Sequence, residues 1–224
     1  MRTLSGSILT PDGWRRGQVR FGADVVEVDG RHIAAPAPPY VVPGFVDLHV
    51  HGGGGADVMA GETAVRRTAA THRRHGTTAL VPTTVTAPTV DLDAALDGIE
   101  AVRRAPAPGE ARVLGAHLEG PFLNPDKLGA QPPYARPPDG DLLAAWAERA
   151  RVLLVTYAPE CDPDDRLPPL LRRLGIAGRI GHSLADDATA RRALDGGAGV
   201  THLFNAMSGL DHRAPGVVGA ALAV

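Results

Sequence analysis

Two histidines separated by one residue stand at the end of an apolar run near residue 50. Within residues 47–51, His49 and His51 alternate with apolar residues. Because side chains on a β-strand alternate between its two faces, both imidazoles lie on one face, which Asp47 shares. Two imidazoles side by side can ligate one divalent metal ion. A pair of histidines that merely flanks a turn is the alternative interpretation of this motif.

Three further side chains of metal-ligating type follow separate apolar runs. Glu119 precedes a Gly-Pro pair, whereas His182 and His202 each end a short apolar segment. A Glu/His/His set with room for water is the composition of a catalytic zinc-type site, and the single cysteine argues against a closed structural zinc site. The set predicts a divalent metal ion of the Zn, Fe or Mn class. Two interpretations apply to His117, on the face of Glu119: a group that supports the metal ligands, or a satisfied core histidine, which is favoured.

These side chains require a scaffold that brings several strand ends together. From Pro43 onward, apolar runs alternate with amphipathic stretches of helical length, which is typical of parallel βαβ units. The predicted strands are Phe45–Val50, Thr78–Pro82, Val113–Leu118, Val152–Tyr157, Arg179–His182 and Val200–Leu203. The predicted helices are Glu62–His75, Val90–Arg104, Gly140–Ala150, Pro168–Leu174 and Ala188–Gly196.

A doubly wound sheet and a (β/α)₈ barrel both satisfy this alternation. A doubly wound sheet usually carries a GxGxxG phosphate turn, which the glycine run at 52–55 does not match. Ligands drawn from the ends of several strands converge at the top of a barrel. We therefore predict an α/β fold of the (β/α)₈ TIM-like type. Such a barrel needs about 250 residues, so residues 43–224 are expected to form an incomplete barrel of about six strands, with 217–224 starting the next unit.

The amino-terminal region has a different texture. Short apolar runs at Leu4–Leu9, Gln18–Phe21 and Val25–Val28 are separated by Asp-Gly and proline turns, which predicts a small β-module. The predicted domains are residues 1–42, an amino-terminal β-sandwich part, and residues 43–224, the partial barrel.

Composition excludes several classes of partner. The 224 residues are 44 % hydrophobic and 21 % charged with a net charge of −2, so charge indicates no nucleic-acid partner. No stretch of about 18 apolar residues exists, which predicts that the chain does not cross a membrane. The first residues lack the apolar core of a signal peptide, and one cysteine fits a reducing compartment. The sequence predicts a soluble cytoplasmic protein.

Four segments carry a resemblance to a known family. Residues 43–52, PGFVDLHVHG, resemble the opening of the amidohydrolase superfamily. Residues 117–124, 181–183 and 201–207 (HLEGPFLN, GHS and THLFNAM) resemble its N-acetylglucosamine-6-phosphate deacetylases. The resemblance implies an amidohydrolase-type barrel and metal-dependent conversion of N-acetylglucosamine 6-phosphate to glucosamine 6-phosphate and acetate, in amino-sugar catabolism. It also implies a small sugar phosphate as partner and a homodimer.

The resemblance further implies roles for individual residues. Glu119, His182 and His202 would hold the metal, and His49 with His51 match a second metal position that only some deacetylases occupy. The implied sugar contacts are Ala130, Gln131, Asn205 and Ala206, and the implied phosphate ligand is Arg213, whose guanidinium fork suits a phosphate. Gln131 stands where the family usually carries a histidine.

The family's substrate histidine on strand seven and catalytic aspartate on strand eight have no counterpart before Val224. No catalytic residue is therefore assigned, the aspartate is expected beyond Val224, and little activity is expected from this chain alone. An inactive metal-binding fragment or remnant is one alternative. Another amidohydrolase, such as a cyclic amidase, is a second. Many cyclic amidases bridge two metals with a carboxylated lysine after strand four, whereas the only lysine here, Lys127, follows strand three.

Overall fold

The computed structural model describes residues 1–223, which form two compact units, Met1–Phe45 and a larger unit that begins at Val46. The strands of the first unit are β1 (Arg2–Thr10), β2 (Gly13–Phe21), β3 (Val25–Val28), β4 (Arg31–His32) and β5 (Tyr40–Val41). They form one five-stranded sheet of order β3-β2-β1-β5, in which β4 also pairs with β2. The domain boundary after residue 42 and the β-sandwich assignment stay predictions.

The hairpin β1–β2 is the longest ladder of this first unit. Its antiparallel register runs from Arg2 opposite Phe21 to Thr10 opposite Gly13. The turn closes at Gly13, whose φ of 103° is a conformation that favours glycine. Because the ladder continues to the turn, both strands are longer than the predicted apolar runs.

The second unit contains strands, α-helices and short 3₁₀ helices. Its first strand, β6 (Phe45–Val50), begins one residue before the unit itself. The other strands are β7 (Gly52–Gly53), β8 (Ala56–Asp57), β9 (Thr77–Thr84), β10 (Arg112–Val113), β11 (Ala116–Glu119), β12 (Val152–Tyr157), β13 (Ala177–Ile180) and β14 (Gly199–Val200). Its helices are α1 (Glu62–Arg74), α2 (Thr89–Arg104), α3 (Gly140–Arg149), α4 (Leu167–Leu174), α5 (Asp187–Asp195) and α6 (Gly216–Leu222), with 3₁₀ turns at Val58–Ala60, Pro125–Lys127 and Pro159–Cys161.

From β11 to β14, neighbouring strands of the main sheet follow one another in the chain. Its strands are arranged β10-β9-β11-β12-β13-β14, with β6 also paired to β9, and the ladders from β9 to β14 are parallel. Segments β10 and β11 together form the predicted third strand. Parallel neighbours joined by helices are the arrangement of a (β/α) barrel, so the predicted incomplete barrel is confirmed.

The five predicted helices are present, and their ends have local causes. The Asp139 side chain accepts the backbone N–H of Leu142, which caps the start of α3. Helix α4 ends at Gly175, whose φ of 69° is left-handed. Residues 217–222, which were expected to start the next unit, lie instead in α6, the helix that follows β14, and Val224 lies outside the described residues.

The predicted bounds of the last two barrel strands are wrong. Strand β13 ends at Ile180 rather than His182, and β14 ends at Val200 rather than Leu203. The φ angles of His182 and His202 are 49° and 34°, a left-handed conformation that cannot continue a strand. Both histidines therefore stand in the loops that follow their strands.

The apolar interior of the second unit comprises two clusters. The larger joins β9–β12 to helices α1–α4, with Leu96, Leu118, Trp146 and Val155 among its fully buried members. The smaller packs α5 and α6 around Ile180, Met207 and Val217. Over residues 1–223, no helix is long and apolar enough to cross a membrane.

A buried carboxylate on α2 accepts hydrogen bonds from two arginine side chains and one backbone N–H. Glu100 accepts hydrogen bonds from Arg103 at 2.7 Å, from Arg104 at 2.6 Å and from the backbone N–H of Arg151 at 3.2 Å. The hydrogen bond from Arg103 is the main reason that the pKa of Glu100 is lowered to about 2. A depressed folded-state pKa stabilises the fold above the unfolded value of about 4.3, and that contribution is lost as pH falls toward 2.

We expect Glu100→Gln to lower the free energy of unfolding by about 1.5–3 kcal/mol at pH 7, since the hydrogen bonds lose their charged acceptor. The difference from the wild type should shrink between pH 5 and pH 2. Urea unfolding followed by circular dichroism at pH 7 and pH 3 measures both. Glu148→Gln, an exposed change on α3, is the control. A difference that stays constant between the two pH values would contradict the assignment.

Candidate metal centre

Five side chains converge at the carboxyl ends of the barrel strands. His51 follows β6, Glu119 is the last residue of β11, and His182 and His202 stand two residues beyond β13 and β14, while His49 lies within β6. The carboxyl end of the strands is where barrel sites are built. The structure thus brings together all five residues that were predicted as metal ligands.

Glu119 is the centre of this group and only 2 % exposed. Its Oε1 lies 3.1 Å from Nε2 of His182 and 3.0 Å from Nε2 of His202. Its Oε2 lies 3.0 Å from Nε2 of His51, and His49 Nε2 is 3.7 Å from Oε1. Two possible ligand groups result, His49–His51–Glu119 and Glu119–His182–His202, which share this carboxylate.

Main-chain carbonyl groups orient three of the rings. Nδ1 of His182 lies 2.9 Å from the Lys127 carbonyl oxygen, and Nδ1 of His202 lies 3.0 Å from that of Asn205. Nδ1 of His51 lies 2.9 Å from the carbonyl oxygen of Thr83. A carbonyl oxygen only accepts hydrogen bonds, so each Nδ1 carries the proton. In the neutral rings, the Nε2 lone pairs therefore face the centre, as metal ligands do.

The contacts at the centre fit a cation. Nε2 of His182 and Nε2 of His202 are 3.1 Å apart, and both face the same Glu119 oxygen. Lone pairs that point at one another repel, and a cation placed among them relieves that repulsion. Ligands about 2.0–2.1 Å from one tetrahedral ion stand about 3.3 Å apart, close to the separations seen here. The residues therefore fit a divalent ion.

Electrostatics at the centre favours positive charge. Burial raises the pKa of Glu119, but the Nε2 atoms of His182, His202 and His51, which donate hydrogen bonds to Glu119 when these rings are protonated, outweigh burial and hold the pKa far below its usual value. The hydrogen bond to Glu119 raises the pKa of His202, and burial lowers the pKa of His49. A buried, ionised carboxylate with imidazole neighbours is a ligand set for a metal cation.

The loops that carry His182 and His202 are held in an uncommon backbone conformation. Besides the two histidines, Phe204 and Ala206 have positive φ angles of 79° and 50°. A left-handed backbone conformation at a non-glycine residue costs of order 1–3 kcal/mol, and such conformations concentrate at functional sites. Hydrogen bonds hold the loops, with Asn124 donating its backbone N–H to the His182 carbonyl oxygen at 3.0 Å.

Glu160 secures the chain just after His182. Its carboxylate accepts hydrogen bonds from the Ser183 hydroxyl at 2.6 Å, from the Leu184 backbone N–H at 2.5 Å and from the Asn124 side-chain amide at 3.0 Å. Sequence reasoning missed this residue, because Glu160 is separated from His182 in the chain and belongs to no recognisable motif. The carbonyl groups that orient the rings were missed for a related reason, since main-chain acceptors carry no sequence signal.

His117 is a buried histidine with both ring nitrogens hydrogen-bonded, as predicted. It is 2 % exposed, and its ring nitrogens lie 3.2 Å from the Leu48 carbonyl oxygen and 2.7 Å from the Thr156 hydroxyl. Burial lowers the pKa of His117 to about 3. With both nitrogens bonded, it is a satisfied neutral histidine behind the centre.

A cavity of about 280 Å³ opens over the centre. Besides the five candidate ligands, its walls include Ala130, Gln131 and Asn205, which were predicted to contact a sugar. Ala206 and Arg213 are not among its lining residues, and Arg213 is exposed, with its backbone N–H donated to Asp211 at 3.0 Å. The contacts predicted for these substrate residues stay predictions.

The fold agrees with comparisons to known proteins. A model of the amidohydrolase family matches residues 40–209. The chain belongs to the amidohydrolase family.

Its relatives include named deacetylases of sugar phosphates. It is 40 % identical over 200 residues to the N-acetylglucosamine-6-phosphate deacetylase of Bacillus subtilis strain 168, covering 86 % of this chain and 50 % of that one. It is 36 % identical over 230 residues to the N-acetylgalactosamine-6-phosphate deacetylase of Escherichia coli O157:H7, covering 96 % and 59 %. The chain thus spans between half and three fifths of the length of these curated relatives.

Solved structures agree with this relationship. The N-acetyl-D-glucosamine-6-phosphate deacetylase of Mycobacterium smegmatis superposes with a TM-score of 0.86 at 35 % identity, covering 98 % of this chain and 60 % of that one. A mutant of that enzyme, solved in complex with N-acetyl-D-glucosamine-6-phosphate, superposes with a TM-score of 0.84, again at 35 % identity, and covers 96 % and 58 %.

Proposed function

We propose that this chain carries the metal-binding part of an N-acetylglucosamine-6-phosphate deacetylase, which cleaves the acetamide to give glucosamine 6-phosphate and acetate in amino-sugar catabolism. The observation that carries the proposal is the convergence of Glu119, His182 and His202 with their ligating atoms turned toward one another. The deacetylase relatives support the choice of substrate. Zn²⁺, Fe²⁺ and Mn²⁺ are the candidate ions for this donor set.

The residues of the chain supply position and charge in this reaction. A divalent ion at the centre would polarise the amide carbonyl and lower the pKa of a bound water from about 15.7 toward about 7. Glu119 supplies the negative charge that holds such an ion, and the carbonyl groups behind His182 and His202 keep both rings aimed at it. The proposed sugar contacts are Ala130, Gln131 and Asn205, which line the cavity, and Ala206. Arg213 is the proposed phosphate ligand.

Proton transfer needs a further group. Among the described residues that line the cavity, Glu119 is the only carboxylate, and its oxygens are committed to the histidines. General acid–base help is worth typically 10²–10⁴-fold, so slow turnover is the expectation for this chain alone. An inactive metal-binding protein is the alternative that fits the same geometry.

A cyclic amidase fits the centre less well. Strand β12, the fourth barrel strand, ends at Tyr157, where that class often places a carboxylated lysine. The chain's only lysine, Lys127, ends a 3₁₀ turn and contributes its carbonyl oxygen to His182. A cytoplasmic location and a homodimer remain proposals, the first supported by the single cysteine.

Purified protein supplied with Zn²⁺, Fe²⁺ or Mn²⁺ should release acetate from N-acetylglucosamine 6-phosphate, and His202→Ala should abolish that release because it removes a proposed ligand. The N-acetylgalactosamine epimer serves as a second substrate. His212→Ala, in which the replaced side chain is 77 % exposed, is the matched control and should match the wild type. Equal release by wild type and His202→Ala would contradict the proposal, and no release by metal-loaded wild type would favour the inactive alternative.

A further inference from the structure

Glu160 joins its own loop to the loops that follow the two neighbouring strands, β11 and β13. It stands in the 3₁₀ turn Pro159–Cys161, after β12. Its Oε1 accepts hydrogen bonds from the Leu184 backbone N–H at 2.5 Å and from the Asn124 side-chain amide at 3.0 Å. Its Oε2 accepts a hydrogen bond from the Ser183 hydroxyl at 2.6 Å. Donors from two other loops thus engage both oxygens of the carboxylate.

Asn124 carries the first connection from Glu160 to His182. Its backbone N–H donates to the His182 carbonyl oxygen at 3.0 Å. Its Oδ1 accepts the Asp126 backbone N–H at 2.9 Å, which caps the 3₁₀ turn Pro125–Lys127 and fixes the orientation of the amide, because a main-chain N–H can only donate. The carbonyl oxygen of the last residue of that turn lies 2.9 Å from Nδ1 of His182. Through Asn124, Glu160 therefore holds both the main chain of His182 and the acceptor that orients its ring.

Ser183 carries a second connection, which reaches the loop of His202. Its hydroxyl donates to Glu160, and its backbone N–H donates to the Ala206 carbonyl oxygen at 3.2 Å. Within that loop, the carbonyl oxygen of Asn205 lies 3.0 Å from Nδ1 of His202. One carboxylate thus stands behind both main-chain acceptors that orient these two rings.

His182 and His202 depend on such contacts because both lie in loops at positive φ. This conformation persists only where the surrounding structure over-determines it. A functional side chain must also be held within about 0.5 Å of its productive position. The reach of the Glu160 side chain sets the spacing of the loops that carry the two histidines, so its length should matter more than its charge.

We infer that Glu160 is a positioning residue of the metal centre, which acts through Asn124 and Ser183 on the orientation of His182 and His202 by the reach of its side chain. This inference rests on the proposed function and deepens it. Groups that orient metal ligands typically change metal affinity by 10–100-fold. A side chain too short to hold the same donors should therefore weaken Zn²⁺ binding by that factor.

Two substitutions separate the reach of the side chain from its charge. Glu160→Asp keeps the charge but is one methylene shorter, so it cannot hold all three donors at once. Glu160→Gln loses the charge but keeps the length. Its amide oxygen can accept from Leu184 and Asn124, while its NH₂ donates to the hydroxyl oxygen of Ser183.

The matched control is Asp162→Ala, in the same loop. The Asp162 carboxylate accepts two backbone N–H groups at the start of α4, so this change weakens the loop without removing a contact to Asn124 or Ser183. Competition with a chromophoric chelator measures the zinc affinity. The visible absorption of the Co²⁺-loaded protein reports the geometry of the ligands, and the melting temperature of the metal-free protein verifies folding.

We expect Glu160→Asp to bind Zn²⁺ about 10–100-fold more weakly than the wild type, with a changed Co²⁺ spectrum. Glu160→Gln should stay within about 10-fold of the wild type, because only the strength of its hydrogen bonds is reduced. Asp162→Ala should keep the wild-type affinity despite a lower melting temperature.

Wild-type affinity in Glu160→Asp, or an equal loss in Asp162→Ala, would overturn the inference while leaving the metal centre in place. A loss in folded Glu160→Gln above about 10-fold would also overturn it, even where Glu160→Asp fails to fold, because charge would then matter more than reach. No bound zinc in the wild type would instead contradict the centre itself and with it the proposed function.

Discussion

Replacing His182 by alanine should weaken Zn²⁺ binding by more than about 100-fold, beyond the 10–100-fold typical of groups that only support a ligand. The ring is 4 % exposed, lies 3.1 Å from Glu119 Oε1 and is oriented by the Lys127 carbonyl oxygen. Alanine would leave Glu119 and His202 as the remaining pair and would open a path for water. Competition with a chromophoric zinc chelator measures the affinity.

The same substitution should abolish stabilisation of the fold by zinc. An ion that binds only the folded state adds about 2.7 kcal/mol to the free energy of unfolding at 100 times its dissociation constant. Zinc should therefore raise the melting temperature of wild type and of His212→Ala, whose replaced ring is exposed, but not that of His182→Ala. An unchanged zinc affinity in His182→Ala would show that the ion, if any, binds elsewhere.

Much of the scaffold was predictable because its signals are local. Helix α3 was predicted at Gly140–Ala150 and spans Gly140–Arg149, with the Asp139 side chain as its cap, and β6 and β12 have the predicted bounds, Phe45–Val50 and Val152–Tyr157. These elements follow from apolar periodicity and capping chemistry, which nearby residues determine. The convergence of the five candidate ligands followed from strand ends meeting at one edge of a barrel.

The rest depends on contacts between residues distant in the chain. The predicted strand bounds around His182 and His202 were wrong because backbone at positive φ is stabilised by loops elsewhere, such as the one that contains Asn124. Similarly, the inward turn of Gln131 depends on the Thr86 backbone, 45 residues away. The amide of Gln131 also hydrogen-bonds to Glu119, a contact that its position in the sequence does not reveal, and its predicted contact with the sugar stays a prediction.

The same dependence on distant contacts makes Trp146 the side chain whose loss should destabilise the fold most. It is 1 % exposed, and its Nε1 donates to Asp93 at 2.8 Å. Its ring lies 6.3 Å from that of Phe122, three residues after Glu119. Trp146 therefore packs α3 against the loop that leaves the metal centre.

Trp146→Ala should lower the free energy of unfolding by about 3–5 kcal/mol, the range for deleting a buried aromatic ring. Trp146→Phe, which keeps most of the packing and loses the hydrogen bond to Asp93, should cost clearly less. Urea unfolding followed by the helical circular dichroism signal reports on this unit, because all six α-helices of the described residues follow Phe45. A cost below about 1 kcal/mol for the alanine variant would mean that α3 is not held by this side chain.

Since Phe122 lies close to Glu119 in the chain, the alanine variant should also bind zinc less tightly than the phenylalanine variant, which links the stability of the barrel wall to the geometry of its metal centre.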